Sequence, residues 1–162
     1  MKNFNIFICI LFLLAVTRFI PHPPNFTSLI ALSFYAPAIF GLRFIPAVVL
    51  SFILTDLFFG FHTTTLFTWG SVILIGLVSK FLNDTTFKRI FGSLIGAFIF
   101  YIISNFGVWL TGNHGLASSG IFSTYALAIP FFMNTLLSTI VFSFVIEAIY
   151  SQSKIILNKY QS

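Results

Sequence analysis

Six apolar runs follow one another along the chain with only short polar breaks between them. A helix that crosses a bilayer needs roughly 20 mostly apolar residues, with a working range of about 17–25. The runs Phe4–Ile20, Thr27–Gly41, Arg43–Gly60, Leu66–Asn83, Lys88–Leu110 and Thr124–Tyr150 are on this scale. A soluble domain of 162 residues could not bury them, because small domains leave much of their surface in water. Only 7% of the residues are charged, against about 25% in a typical soluble domain. The expected fold class is therefore an all-α membrane protein, with a single transmembrane domain of six helices over residues 1–162.

The weakest run is the second, which is short and contains Pro37, so a kink or break is expected there. Pro46 falls in the first turn of the third helix, where the missing N–H does little harm. Pro130 is expected to kink the long last run. No A-x-A cleavage site follows Phe4–Val16, so this segment reads as a retained first helix rather than a signal peptide.

Charge placement gives an orientation. Cytoplasmic loops carry the Lys and Arg excess. With six spans and both termini cytoplasmic, the inner segments hold Lys2, Arg43, Lys80, Lys88, Arg89, Lys154 and Lys159, and the outer segments hold only Arg18. Trp69 and Trp109 then fall at outer helix ends, as an aromatic belt would place them. The 24 phenylalanines suit lipid-facing positions, and Gly92-xxx-Gly96 suits close helix packing.

Several function classes drop out. The basic residues form no run and no helix face, so no nucleic-acid partner is expected. The single cysteine, Cys9, excludes an intrachain disulfide. Phosphate-binding, zinc-protease and hydrolase signatures are missing, so no enzyme activity and no cofactor are expected, and ATP-driven movement would need a second protein. His22, His62 and His114 fall one in each outer loop, without ligand spacing, and no metal site is expected.

What remains is the placement of polar residues in the spans, where such groups are costly and face the bundle interior or a cavity. Arg18, Asp56, Asn105 and Trp109 lie at or near outer helix ends, and Asn134 enters the last helix from that side. Arg18 and Asp56 suit either mutual neutralisation or ligand contact; Asn105 and Asn134 suit either interhelical hydrogen bonds or a site. Lys80, Asp84, Lys88, Arg89 and Glu147 read as interfacial anchors on the inner side. Buried polarity thus gathers at the outer end. The first outer loop, Pro21-His22-Pro23-Pro24-Asn25-Phe26, favours an extended polyproline-type strand that could lie as a lid over the bundle mouth.

These residues carry a resemblance. Arg18-x-x-Pro21-His22-Pro23-Pro24-Asn25-Phe26 resembles the opening motif of an uncharacterised family of small bacterial membrane proteins. That family is related to the substrate-binding S components of energy-coupling factor (ECF) transporters. Thr55-Asp56-x-x-x-Gly60-x-His62, Ser104-Asn105-x-x-Val108-Trp109 and Pro130-Phe131-Phe132-x-Asn134-Thr135-Leu136 fit the same family, so the resemblance covers nearly the whole chain. It implies a six-helix S-component-like fold in the bacterial inner (plasma) membrane that captures a vitamin-like solute at the outer face. A separate transmembrane coupling subunit and ATPases would then drive release inward, by toppling the S component. Carried over by position, Arg18, Asp56, Asn105, Trp109 and Asn134 would line or brace the pocket, with His22, Asn25 and His62 above it. S components that share an energising module usually carry an AxxxA motif in helix one, whereas Phe4–Ile20 contains only Ala15.

A different reading is a structural protein of the cell envelope without a small-molecule substrate, since the MreD rod-shape family also resembles this fold. A scaffold needs no polar pocket. The presence or filling of a cavity beneath Pro21–Phe26 separates the two.

Overall fold

A computed structural model describes residues 2–112 and 120–161, with side chains described for 3–112 and 120–153; His114 lies outside the described residues. Every regular element among these is helical. The order is α1 Lys2–Phe19, α2 Leu29–Phe40, α3 Ile45–Phe59, α4 Thr65–Val78, α5 Thr86–Thr111, α6 Ile121–Leu127 and α7 Ile129–Gln161. Tight 3-10 turns at Leu42–Phe44 and Ser79–Phe81 lead into α3 and close α4. Three helical stretches are long and apolar enough to cross a membrane: Leu42–Phe59, Thr86–Thr111 and Ile129–Ser153. Asn3–Phe19, Leu29–Phe40 and Thr65–Phe81 are apolar but shorter. Large apolar side chains such as Phe58, Leu66, Phe87 and Phe122 stand on the outside, where a soluble protein would carry charge.

The helix starts and stops follow local chemistry. Thr85 caps α5 by accepting from Lys88 N–H at 3.2 Å, and Gly112 ends it in the left-handed region at φ 66°. Pro37 does not break α2: it forgoes only its own bond to Ser33 C=O, and the helix runs on to Phe40, with Gly41 N–H donating to Pro37 C=O at 2.9 Å. The last run, in contrast, is divided rather than kinked. Pro130 cannot donate to the carbonyl four residues back and its ring crowds that carbonyl, so α6 stops at Leu127 and Pro130 sits in the first turn of α7.

The short α2 is the hub. Leu29 to Pro37 are all buried, and α2 touches α1, α3, α4, α5 and α7. Its neighbours come close where side chains are missing. A Cβ on Gly92 of α5 would collide with the Phe34 ring of α2, and one on Gly96 would meet Ile75 of α4 at 3.0 Å. The Gly92-xxx-Gly96 spacing therefore does what close packing requires.

At one end of the bundle α1, α3 and α5 finish while α2, α4 and α7 begin. At 12 residues α2 is only about 18 Å long, short of the roughly 30 Å hydrocarbon core. The chain between α1 and α2 folds inward at this end. Phe26 meets the Phe142 ring at 6.4 Å, roughly three and a half turns into α7. Its local form is a turn, not an extended strand. Phe26 N–H donates to Pro23 C=O at 3.0 Å, with Pro24 in the second position and Asn25 at φ 64° in the third. This is type II turn chemistry, and Asn tolerates the left-handed geometry it demands.

The opposite end is less inert than the sequence suggests. Arg89 and Glu147 are not interfacial anchors but a buried pair, 6% and 5% exposed. Arg89 donates from Nε to Oε1 at 2.6 Å and from Nη2 to Oε2 at 2.7 Å, and Thr86 Oγ1 donates to Oε2 at 3.1 Å. Helix α5 is thereby fastened to α7. Lys80, Asp84 and Lys88 remain exposed, the last two as an i, i+4 pair.

Candidate functional site

The site is built around one face of α3. Phe52, Thr55, Asp56 and Phe59 recur at the i, i+3, i+4, i+7 spacing that places side chains on one helical stripe, and all four engage Arg18, the last but one residue of α1. Arg18 Nη1 lies 2.6 Å from Asp56 Oδ1 and donates to Thr55 Oγ1 at 2.5 Å. The guanidinium carbon stands 4.8 Å from the Phe52 ring centroid and 5.0 Å from that of Phe59. Two aromatic contacts, one carboxylate and one hydroxyl thus fix the plane of the guanidinium, so its orientation is preorganised.

Asp56 is fully buried, with 0% of its side chain exposed. Its Oδ2 accepts from Trp69 Nε1 at 2.9 Å, while the Oδ1 contact with Arg18 is ionic without hydrogen-bond direction. Trp69 is thus turned inward from α4 against the core, and not outward as a belt residue. Its role was hard to foresee, since a tryptophan near a helix end fits both positions equally well. The stripe on α3 was the legible signal for the partners Phe52, Thr55 and Phe59.

Two adjoining cavities of about 500 and 490 Å³ open at this end. They share Asn25, His62, Thr68, Phe100 and Thr135, which makes them two lobes of one space. Arg18, His22, Phe52, Phe59 and Phe61 line the first lobe, and Leu29 and Ile30 of α2 form part of its wall. The second lobe is walled by stripes on two helices, Phe100, Tyr101, Ser104, Asn105 and Val108 on α5 and Phe131, Phe132 and Thr135 on α7, together with Thr68 of α4 and Thr124 and Leu127 of α6. Both stripes have helical spacing, so each helix turns one face to the space.

The sequence-derived residues divide accordingly. Arg18, His22, Asn25 and His62 line the first lobe, and Asn25, His62 and Asn105 line the second. His22 Nδ1 is 2.7 Å from Pro23 C=O, a contact that needs the proton on Nδ1 and leaves Nε2 for the cavity. Asn105 Nδ2 donates to Tyr101 C=O of its own helix at 2.7 Å. Asp56 lies behind Arg18 rather than in the wall. Asn134 donates to Pro24 C=O at 3.1 Å and ties the turn to α7, without lining either lobe. Trp109 packs on Phe106 at 5.7 Å between ring centroids and also lines neither. Among the described residues, no three His, Cys, Asp or Glu side chains are placed to hold a metal ion.

Residues 1–159 match a family of unknown function (DUF6580). The chain belongs to that family. The match runs over nearly all of the sequence, so the cavity end and the buried pair at the far end belong to one family unit. No curated protein and no solved structure matches the chain. Membership agrees with the resemblance to an uncharacterised family and does not reach as far as ECF S components.

Proposed function

We propose that this protein is a substrate-binding membrane subunit of an ECF-type importer, capturing a vitamin-like small solute at the outer face of a bacterial inner membrane. The observation that carries the reading is the two-lobed cavity beside the Pro21–Phe26 turn, walled by polar and aromatic side chains and facing a preorganised Arg18. A volume near 500 Å³ per lobe is in the range of small-molecule sites. In this reading the six apolar helical segments of the bundle all cross the bilayer, α6 completing the last of them with α7, and the termini are cytoplasmic. The strict alternation of Lys and Arg supports that topology, and the cavity end is then the outer end.

The chain holds no nucleotide-binding signature, so energy would come from separate ATPases through a transmembrane coupling subunit. Helix α1 presents Phe4, Ile8, Phe12 and Leu13 outward in place of small residues, so its coupling partner would need a groove that takes bulky side chains. A scaffold of the envelope is the competing reading. An open cavity with a few polar groups in a largely apolar wall speaks against it, since a scaffold has no use for unfilled space that lowers stability.

Native mass spectrometry of the gently purified protein tests the proposal. A co-purifying small molecule is expected with the wild type. Arg18→Ala and Asp56→Ala should lower its occupancy at least about tenfold, the scale of one lost charge-assisted contact, while leaving the protein inserted. If both variants retain the solute like the wild type, the site is wrong.

A further inference from the structure

The chemistry of the cavity wall selects among solutes, and this inference rests on the solute-binding reading above. Among the described residues, Arg18 is the only charged side chain in the wall of either lobe, and no Asp or Glu lines them. Asp56 neutralises Arg18 formally, but from behind: it is fully buried, whereas 15% of the Arg18 side chain is exposed. Among the described residues only Nη1 is engaged, by Asp56 and Thr55. The guanidinium therefore retains Nε–H and Nη2–H, the edge that matches a carboxylate in a bidentate fork. The Phe52 and Phe59 contacts hold that edge in place. His22 Nε2, the Asn25 amide and the His62 ring stand in the same lobe.

We infer that the solute is a monocarboxylate with a flat apolar or aromatic body: its carboxylate meets the free edge of Arg18 in the first lobe, and its body lies in the second lobe. A cationic solute would find hydrogen-bond donors in the wall and no free counter-charge, Asp56 being buried behind Arg18. A dianion such as a phosphate ester would bring twice the charge of a monocarboxylate to the same Arg18 edge, where Asp56 already supplies one counter-charge. The second lobe suits a ring with a few heteroatoms. Phe100, Tyr101, Phe131 and Phe132 supply aromatic surface, and Thr68, Ser104 and Asn105 supply neutral polar contacts.

Benzoate and its neutral counterpart benzamide are matched probes for this inference. Binding to the detergent-solubilised full chain is followed by titration calorimetry and by tryptophan fluorescence, to which Trp69 beside Asp56 contributes. Saturable benzoate binding in the millimolar range of a fragment-sized probe is expected, with benzamide at least about tenfold weaker. Arg18→Gln alone would also leave Asp56 without its counter-ion, so the decisive variant is Arg18→Gln/Asp56→Asn, which removes both charges together. It should lose the preference for benzoate, whereas Arg43→Gln, at the opposite end of the bundle, should keep it. Benzamide binding as tightly as benzoate, a double variant that keeps the preference, or a wild type that binds no benzoate each overturns the carboxylate inference. The solute-binding reading fails separately, if native mass spectrometry finds no co-purifying molecule. A neutral co-purifying solute held equally by the double variant would sink the carboxylate alone.

Discussion

The buried Arg89–Glu147 pair allows a quantitative test of what holds the bundle together. At 2.6 Å and an effective dielectric constant of about 20, the attraction between unit charges is about 6 kcal/mol. Desolvation of both groups offsets most of that, so the pair adds little net stability, but losing one partner costs about 3–5 kcal/mol. The two single losses should differ. In Arg89→Met the orphaned carboxylate can neutralise itself by taking up a proton, whereas in Glu147→Leu the guanidinium stays charged. Thermal or denaturant unfolding in detergent should therefore rank Glu147→Leu as the least stable, by about 3 kcal/mol or more, with Arg89→Met between it and the wild type. The double variant Arg89→Met/Glu147→Leu should return to within about 1 kcal/mol of the wild type or exceed it. A double variant as unstable as Glu147→Leu would refute the reasoning. So would a Glu147→Leu that unfolds like the wild type.

Two further outcomes follow from packing and topology. Gly92→Ala should destabilise by about 1–3 kcal/mol through overpacking, despite the roughly 1 kcal/mol gain in helix propensity, because its Cβ meets the Phe34 ring; Gly70→Ala, facing open space in α4, should be neutral or stabilising by up to about 1 kcal/mol, and equal effects at the two sites would contradict the packing. In a Cys9→Ser background, needed because Cys9 is exposed, Pro23→Cys should react with a membrane-impermeant maleimide added outside intact cells and Asp84→Cys should not, the reverse pattern inverting the proposed topology.

How much of this was legible depended on whether a residue's role is set locally or by a distant partner. Helix α5 could be read to within about two residues at each end, because Thr85, Gly112 and the apolar run between them decide it locally. The turn at Pro23–Phe26 was also locally encoded, by Pro24 before Asn25, but counting prolines favoured an extended strand over the turn that this pair specifies. Arg89 and Glu147 were misread for a different reason. They are 58 residues apart, and near a helix end a long charged side chain is compatible with both a snorkelling anchor and a buried pair. Trp69 is the same case, since its inward turn depends on Asp56 of another helix.

The two buried ion pairs sit at opposite ends of the bundle and fasten different helices: Arg18–Asp56 joins α1 to α3, and Arg89–Glu147 joins α5 to α7. The walls of the cavity follow this division. Arg18, Phe52 and Phe59 come from the first pair of helices, and Phe100, Asn105 and Thr135 from the second, with α2 and α4 between. The pairs differ in what they leave available. Glu147 accepts from Arg89 through both oxygens, and Arg89 is further bound to Asn83 C=O at 3.0 Å and Thr86 Oγ1 at 3.1 Å, so every nitrogen of that guanidinium donates within the protein and it serves the fold. Among the described residues the Arg18 guanidinium is held through Nη1 alone, between two rings, at the wall of a cavity. The remaining edge of Arg18 is not buried without a partner but opens to the cavity, and in the proposed reading it is where a solute's acceptor atoms would complete the site.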